Sequence, residues 1–201
     1  MAKKYKAKAK KWKARAKALE AKLAAAPMAA PKTKVTLVSP LAPRDGFPLL
    51  PEIAGVEFAT TQAGVRYKNR TDVMLARLAP GTVVAGTFTR SATRSAAVLD
   101  CQAKIGLKDG ADQGAAILVN SGNSNAFTGA RGWMSVNALS AAVAGKLGVP
   151  ENRVFTSSTG VIGEPLPHER IEAALDGLVA GLSPHGIADA ARAIMTTDTY
   201  P

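Results

Sequence analysis

One cysteine and two histidines are all that this chain of 201 residues offers among the softer metal ligands and the commonest general bases. A lone Cys101 excludes an internal disulfide and a thiolate metal cluster, and it suits a reducing, cytoplasmic compartment. There is no H-x-x-x-H, no cysteine pair and no carboxylate cluster at ligand spacing, so no metal is expected. No run of about 18 apolar residues occurs, so no membrane span is expected. The N-terminus lacks the apolar stretch of a secretory signal, and its excess of Lys over Arg without Ser argues against a transit peptide. His168, beside prolines, and His185, in the loop Ser183-Pro-His-Gly186, read as solvated surface residues. Gly129-Ala-Arg-Gly-Trp-Met-Ser135 lacks the Lys-Ser/Thr of a phosphate loop, and no G-x-S-x-G elbow surrounds Ser157 or Ser158.

What is present is a charge of +11, and it is all in one place. Residues 1–34 hold eleven lysines and Arg15 against Glu20 alone, while the remainder carries 14 basic and 14 acidic residues. Affinity for nucleic acid or an anionic surface would therefore belong to an appendage and not to a neutral body. Good helix formers fill Met1 to Ala26, and Tyr5, Trp12, Leu19 and Leu23 share one helical stripe. Pro27 and Pro31 end it, and Ala29 to Thr33 look like linker. The chain is thus expected to consist of a tail over residues 1–34 and a domain over residues 35–201.

In the body, short apolar strands alternate with helices. Strands are expected at Asp72 to Leu78, Thr82 to Phe88, Ala115 to Val119 and Val154 to Thr156, and a weaker one at Arg94 to Leu99. Trp133, Val136, Leu139, Val143 and Leu147 form a helical stripe that Gly148 stops. Ile171, Ala174, Leu175, Leu178 and Leu182 form a second stripe. Ile187, Ala190, Ala191 and Ile194 form a third, running into Thr196. The pattern is that of an α+β (mixed α/β) domain with strands and helices in layers.

Three polar, glycine-punctuated segments carry the chemical interest. Asn120 to Gly132 combines Asn120, Asn123 and Asn125 with Gly122, Gly129 and Gly132, residue types that tolerate left-handed backbone and offer both donors and acceptors. Its length is about twice that of a usual strand-to-helix connection, although a tight structural turn is the plain alternative. In Ser157 to Pro165, Thr159 and Gly160 put a hydroxyl beside a backbone N–H, a pair able to hold an oxyanion; an ordinary Ser/Thr turn is the alternative. Met195 to Pro201 places Thr196, Thr197, Asp198 and Thr199 at the end of the last helix, where helix termination alone would explain them.

Taken in order, Ser39-Pro-Leu-Ala-Pro43, Gly64-Val-Arg-Tyr-Lys68, Arg70-Thr-Asp72, Val84 to Arg90 and the three segments resemble the ornithine acetyltransferase family of arginine biosynthesis. The resemblance covers the chain from about Val35 onward and leaves out the basic tail. It implies a cytoplasmic enzyme that moves an acetyl group from N-acetylornithine to glutamate, without a bound cofactor, some members also taking acetyl-CoA. It further implies self-cleavage into α and β chains, an acetyl-enzyme on the β chain's first threonine, and a heterotetramer of two α and two β chains. Thr159 and Gly160 match the family's oxyanion pair, and Thr197, with Thr196 next to it, matches a substrate-binding threonine. Asn120, Gly122, Asn123 and Asn125 match a signature that shapes the site. The lysine and the cleavage threonine of the family lie beyond Pro201, so this chain corresponds to part of an α chain and alone is expected to be inactive. Two rival readings are an autoproteolytic aminopeptidase or amidase of related fold, and a non-catalytic binding module with a basic tail.

Overall fold

The structure is a computed structural model that describes residues 10–18, 39–44, 46, 49–107 and 110–200. The chain divides into two units, Met1–Leu37 and Val38–Pro201. In the first, residues 10–18 are helical and exposed throughout. The rest of the helix expected over Met1 to Ala26, with Tyr5, Leu19 and Leu23, lies outside the described residues, as do the linker and the start near Val35.

The second unit is built on four strands in the order β1 (Val56–Thr61), β2 (Val73–Leu78), β3 (Ala115–Asn123) and β4 (Val154–Val161). β2 pairs antiparallel with both β1 and β3, with Val56 opposite Leu78 and Val73 opposite Asn120. β4 lies parallel to β3, from Ala116 opposite Val154 to Asn123 opposite Val161. A parallel pair needs a crossover. Helix α2 (Ala130–Leu147) supplies it, between α1 (Ala96–Lys104) and the later helices α3 (His168–Ala180) and α4 (Ile187–Ala193). This is the mixed α/β architecture expected.

Strand alternation sorts the side chains onto two unequal faces. Val73, Leu75, Ala116, Leu118 and Val154 point to one face and pack with Leu139 and Val143 of α2 and Ile171, Leu175 and Leu178 of α3. Leu75, Ile171, Leu175 and Leu178 are almost wholly buried, and each such side chain contributes about 1.5–3 kcal/mol. On the other face Met74 and Ala76, with Phe58, Ile117 and Val119, meet Ala190 and Ala193 of the seven-residue α4. On β4 that face is closed at Phe155 and more open beyond it, where Ser157 is exposed and Thr159 half-buried.

Several expectations need correction. Thr82 to Phe88 forms no strand, and Val83 is 90% exposed. Both edges of β2 are already taken by β1 and β3, so a segment returning from Pro80-Gly81 finds no partner beside it. Arg94 to Leu99 enters a helix instead, because Ser95 caps α1: its Oγ accepts from Val98 N at 3.3 Å. β1 was not anticipated. β3 continues through Asn123 and β4 through Val161, so Asn120 to Asn123 and Ser157 to Gly160 are strand residues, while Asn125 stays in the loop. The last helix stops at Ala193, short of Thr196, and leaves Ile194 40% exposed. Leu182 lies past the end of α3, and Trp133, on the stripe of α2, is 40% exposed. Gly148 does end α2, at φ 67° with its N–H on Ala144 O.

Candidate functional site

The polar ends of β3 and β4 lie side by side. Asn120 faces Ser158, Ser121 faces Thr159, and Gly122 faces Gly160. Asn120, Asn123 and Asn125 are each at most 3% exposed, and their amides are engaged internally. Asn120 accepts from Ser158 Oγ at 2.6 Å and donates to Asn123 O at 2.8 Å. Asn123 donates to Glu164 O at 3.0 Å and accepts from Asn125 N at 2.7 Å. Asn125, in left-handed backbone at φ 47°, donates to Gly132 O at 3.1 Å and accepts from Thr128 Oγ1 at 3.0 Å. Buried amides satisfied in this way fix a loop's shape. These amides tie the ends of β3 and β4 and the loop after β3 to one another.

The orientation of β4's backbone follows from its partners. Val161 O accepts from Ser124 N at 2.9 Å, so the backbone of Val161 faces β3. Alternation then turns the backbones of Val154, Thr156, Ser158 and Gly160 to the opposite edge. There Lys104 Nζ donates to Val154 O at 3.0 Å and Cys101 Sγ to Thr156 O at 3.3 Å, so α1 covers the first half of that edge. No strand among the described residues lies beyond β4. Gly160 is exposed and Thr159 half-buried, and Thr159, opposite Ser121, lies on the same face of the pair as that serine.

That face also receives the third segment. Ser121, buried and opposite Thr159, donates its hydroxyl to Ala193 O at 2.8 Å, which ties the end of α4 to β3. Arg70 donates to Met195 O, two residues further on. Thr196 is half-buried with its N–H on Asp198 Oδ2 at 3.0 Å, and the next residue, Thr197, is exposed. Ser121 thus links the strand pair bearing Thr159 to the segment bearing Thr197. Sequence reasoning did not single out Ser121, although it lies within the quoted asparagine motif; nothing local distinguishes its hydroxyl from its neighbours'. Asp72, 2% exposed, accepts from Ala63 N at 2.8 Å and Val65 N at 2.6 Å and so fixes the turn before β2. Arg66 pairs with Glu164 at 2.6 Å, and this carboxylate raises the guanidinium pKa above its ordinary value.

Of the histidines, His185 is exposed as expected, but His168 is not. It opens α3 with a side chain 20% exposed and its Nδ1 3.1 Å from Ser135 Oγ, a packing role between α2 and α3. Among the described residues no group of three or more His, Cys, Asp or Glu could hold a metal, and no helix is long and apolar enough to cross a membrane. The cavity of about 560 Å³ lined by Glu52, Val56, Arg77, Leu78 and Pro184 lies at the far end of β1 and β2 and includes none of the candidate residues. A smaller one, about 290 Å³, is bounded by Asn125, Phe127 and Trp133.

A sequence model of the ArgJ family matches residues 57–201. The arginine biosynthesis bifunctional protein ArgJ of Ruegeria pomeroyi is 68% identical over 168 residues, which is 83% of this chain and 40% of that protein. Its namesake from Nitrobacter winogradskyi is 52% identical over the same shares. The chain therefore spans about 40% of the length of the curated relatives it matches. Among solved structures, an ornithine acetyltransferase from Mycobacterium tuberculosis, complexed with ornithine, superposes with a TM-score of 0.67 at 34% identity, over 74% of this chain and 79% of that one. The arginine biosynthesis bifunctional protein from Bacillus halodurans gives 0.65 at 30% identity, over 73% and 74%.

Proposed function

The chain belongs to the ArgJ family, and from that premise we propose that it is the α-chain part of an enzyme that transfers acetyl from N-acetylornithine to glutamate. The nucleophile is a threonine that begins a companion β chain, released from the same precursor by self-cleavage. Its hydroxyl attacks the acetyl carbonyl while its own α-amine takes the proton. Thr159 Oγ and Gly160 N–H donate to the oxyanion that forms, and ornithine leaves. The amine of glutamate then attacks the acetyl-threonine through the same oxyanion site. Thr197 contacts the substrate, and the asparagine motif holds the site's shape. The reaction runs in the cytoplasm, in an assembly of two α and two β chains, and needs no bound cofactor; acetyl-CoA is a candidate second donor.

The observation that carries this reading is the position of Thr159 and Gly160. Thr159 lies on the face where α4 ends before Thr197, and Gly160 beside it is an exposed residue of β4. A donor held in place before the reaction, in a site closed from water, is worth about 10²–10³ in turnover. The two-chain arrangement is supported by coverage: 40% of the curated relatives but 79% of one crystallised polypeptide.

Acetyl transfer from N-acetylornithine to glutamate, assayed for this chain alone and with its companion, tests the proposal. Transfer by the pair and none by the chain alone is expected. Hydrolysis of amino-acid amides without acetyl transfer would point to the aminopeptidase reading.

A further inference from the structure

After Pro80-Gly81 the chain runs from Thr82 to Ser91 without a turn or bend. The stretch has the composition of a strand and alternates as one. Thr82, Val84 and Phe88 are half-buried, while Val83, Ala85, Thr87 and Thr89 are exposed, Val83 by 90%. That is the period of a strand with one face packed. The packed face passes over the end of α1, where a methyl group on Gly86 would meet Ile105 Cδ1 at 3.8 Å and the Phe88 ring at 3.3 Å. Both ends are held: Arg153 Nη2 donates to Thr82 O at 2.6 Å, and Ser95 caps α1 shortly after Ser91. Yet among the described residues no backbone N–H or C=O of residues 83–90 is hydrogen-bonded.

A strand-shaped segment fixed at both ends, with its peptide groups unpaired, is a template for another strand. A second copy of this chain is a poor source of one. Its β1 edge is engaged at Phe58 by Ser183, and α1 covers the first half of the outer edge of β4. Two copies joined through residues 83–89 alone would form an isolated two-stranded ribbon, which is marginal in water. A companion from the same family is the better source. The family match includes this segment, while the chain spans about 40% of the ArgJ relatives it matches, so the larger part of those proteins is polypeptide this chain does not contain. No charged residue occurs from Val83 to Thr89, which suits an uncharged edge strand. The segment also leads to Thr93 and Arg94, which bound the smaller cavity together with Asn125 and Phe127 beside the asparagine motif.

We propose that Val83 to Thr89 is the strand through which this chain docks on its companion, adding to the edge of the companion's sheet. The inference rests on the two-chain reading above and goes beyond it in assigning the contact to particular backbone groups.

Hydrogen–deuterium exchange of the natively purified assembly, resolved to single amides, tests it. Alternate amides of residues 83–89 should exchange roughly 100-fold or more slowly than in an unstructured peptide of the same sequence, and those between them much faster. Ala85→Pro and Gly86→Pro each remove a donor, on opposite edges, from positions that make no hydrogen bond in this chain. One of the two should weaken retention of the companion by roughly tenfold or more, and the other much less. A companion that co-purifies while residues 83–89 exchange at the unstructured rate overturns this inference and leaves the acetyltransferase reading standing. The absence of any companion overturns both. Protection in a species holding two copies of this chain and no companion would assign the segment to self-association instead.

Discussion

Gly122 and Gly160 oppose each other across the β3–β4 pair so closely that a methyl group on Gly160 would lie 2.3 Å from Gly122 C and 2.6 Å from Gly122 O. Gly160 also has φ 134°, a backbone that side chains rarely tolerate. Gly160→Ala should therefore destabilise the fold by at least about 3 kcal/mol, with a fall in Tm of roughly 2–4 °C per kcal/mol. Gly122→Ala, at φ 97°, is strained as well but meets Arg66 Cβ only at 3.1 Å, and should be the milder of the two. Thermal melts of both variants check the order, and equal melting temperatures would contradict the close approach.

Thr159→Ala removes a half-buried hydroxyl from β4 without disturbing the register with Ser121. In the complete two-chain enzyme, turnover should fall by about 10²–10³ with little change in Tm. Steady-state kinetics beside a melting curve separate the two effects, and unchanged turnover would remove Thr159 from the oxyanion site.

Ser121→Ala deletes the hydroxyl that holds Ala193 O, with a stability loss of about 1 kcal/mol. Because α4 leads directly to Thr197, the KM for N-acetylornithine should rise more than kcat falls. A loss confined to Tm would make Ser121 a packing residue only.

Asp72→Ala strands two backbone donors, Ala63 N and Val65 N, and should cost about 3 kcal/mol. Asp72→Asn keeps one acceptor and should recover part of that loss in a denaturant titration. No difference between the variants would argue against the paired acceptor role.

Burial pushes the Cys101 thiol pKa up, so less of it is thiolate in the folded chain than in the unfolded one. Alkylation at mildly alkaline pH should accordingly be slower in the folded chain than in the unfolded one. A raised folded pKa of an acid favours the protonated fold. The stability it gives is present below the ordinary thiol pKa and is lost as pH rises through the folded value. Equal alkylation rates with and without denaturant would contradict the burial.

The parts legible in the sequence were those with strong local periodicity. The stripes of α2 and α3 and the apolar run opening β3 declare themselves, and Gly148 marks its own stop. Pairing is not local, and it was there that sequence reasoning failed. Thr82 to Phe88 has strand composition, but nothing in it records that β2 is already flanked on both sides. Val56–Thr61 mixes Glu57, Thr60 and Thr61 with apolar residues, as an edge strand does, and so passed unnoticed. The residues of the candidate site were visible as motifs, but their setting as strand ends was not. Asn120 reads as a loop residue until Ser158 and Asn123 are seen to satisfy its amide within the sheet.

The central claim is that this chain supplies the oxyanion site and another polypeptide the nucleophile. Its most direct test is denaturing intact mass of everything that purifies natively with the chain, before and after brief exposure to N-acetylornithine. The account predicts a second polypeptide that begins with threonine and gains one acetyl group, while this chain gains none. Acetyl on this chain, or the absence of any companion from a preparation that transfers acetyl, would contradict it.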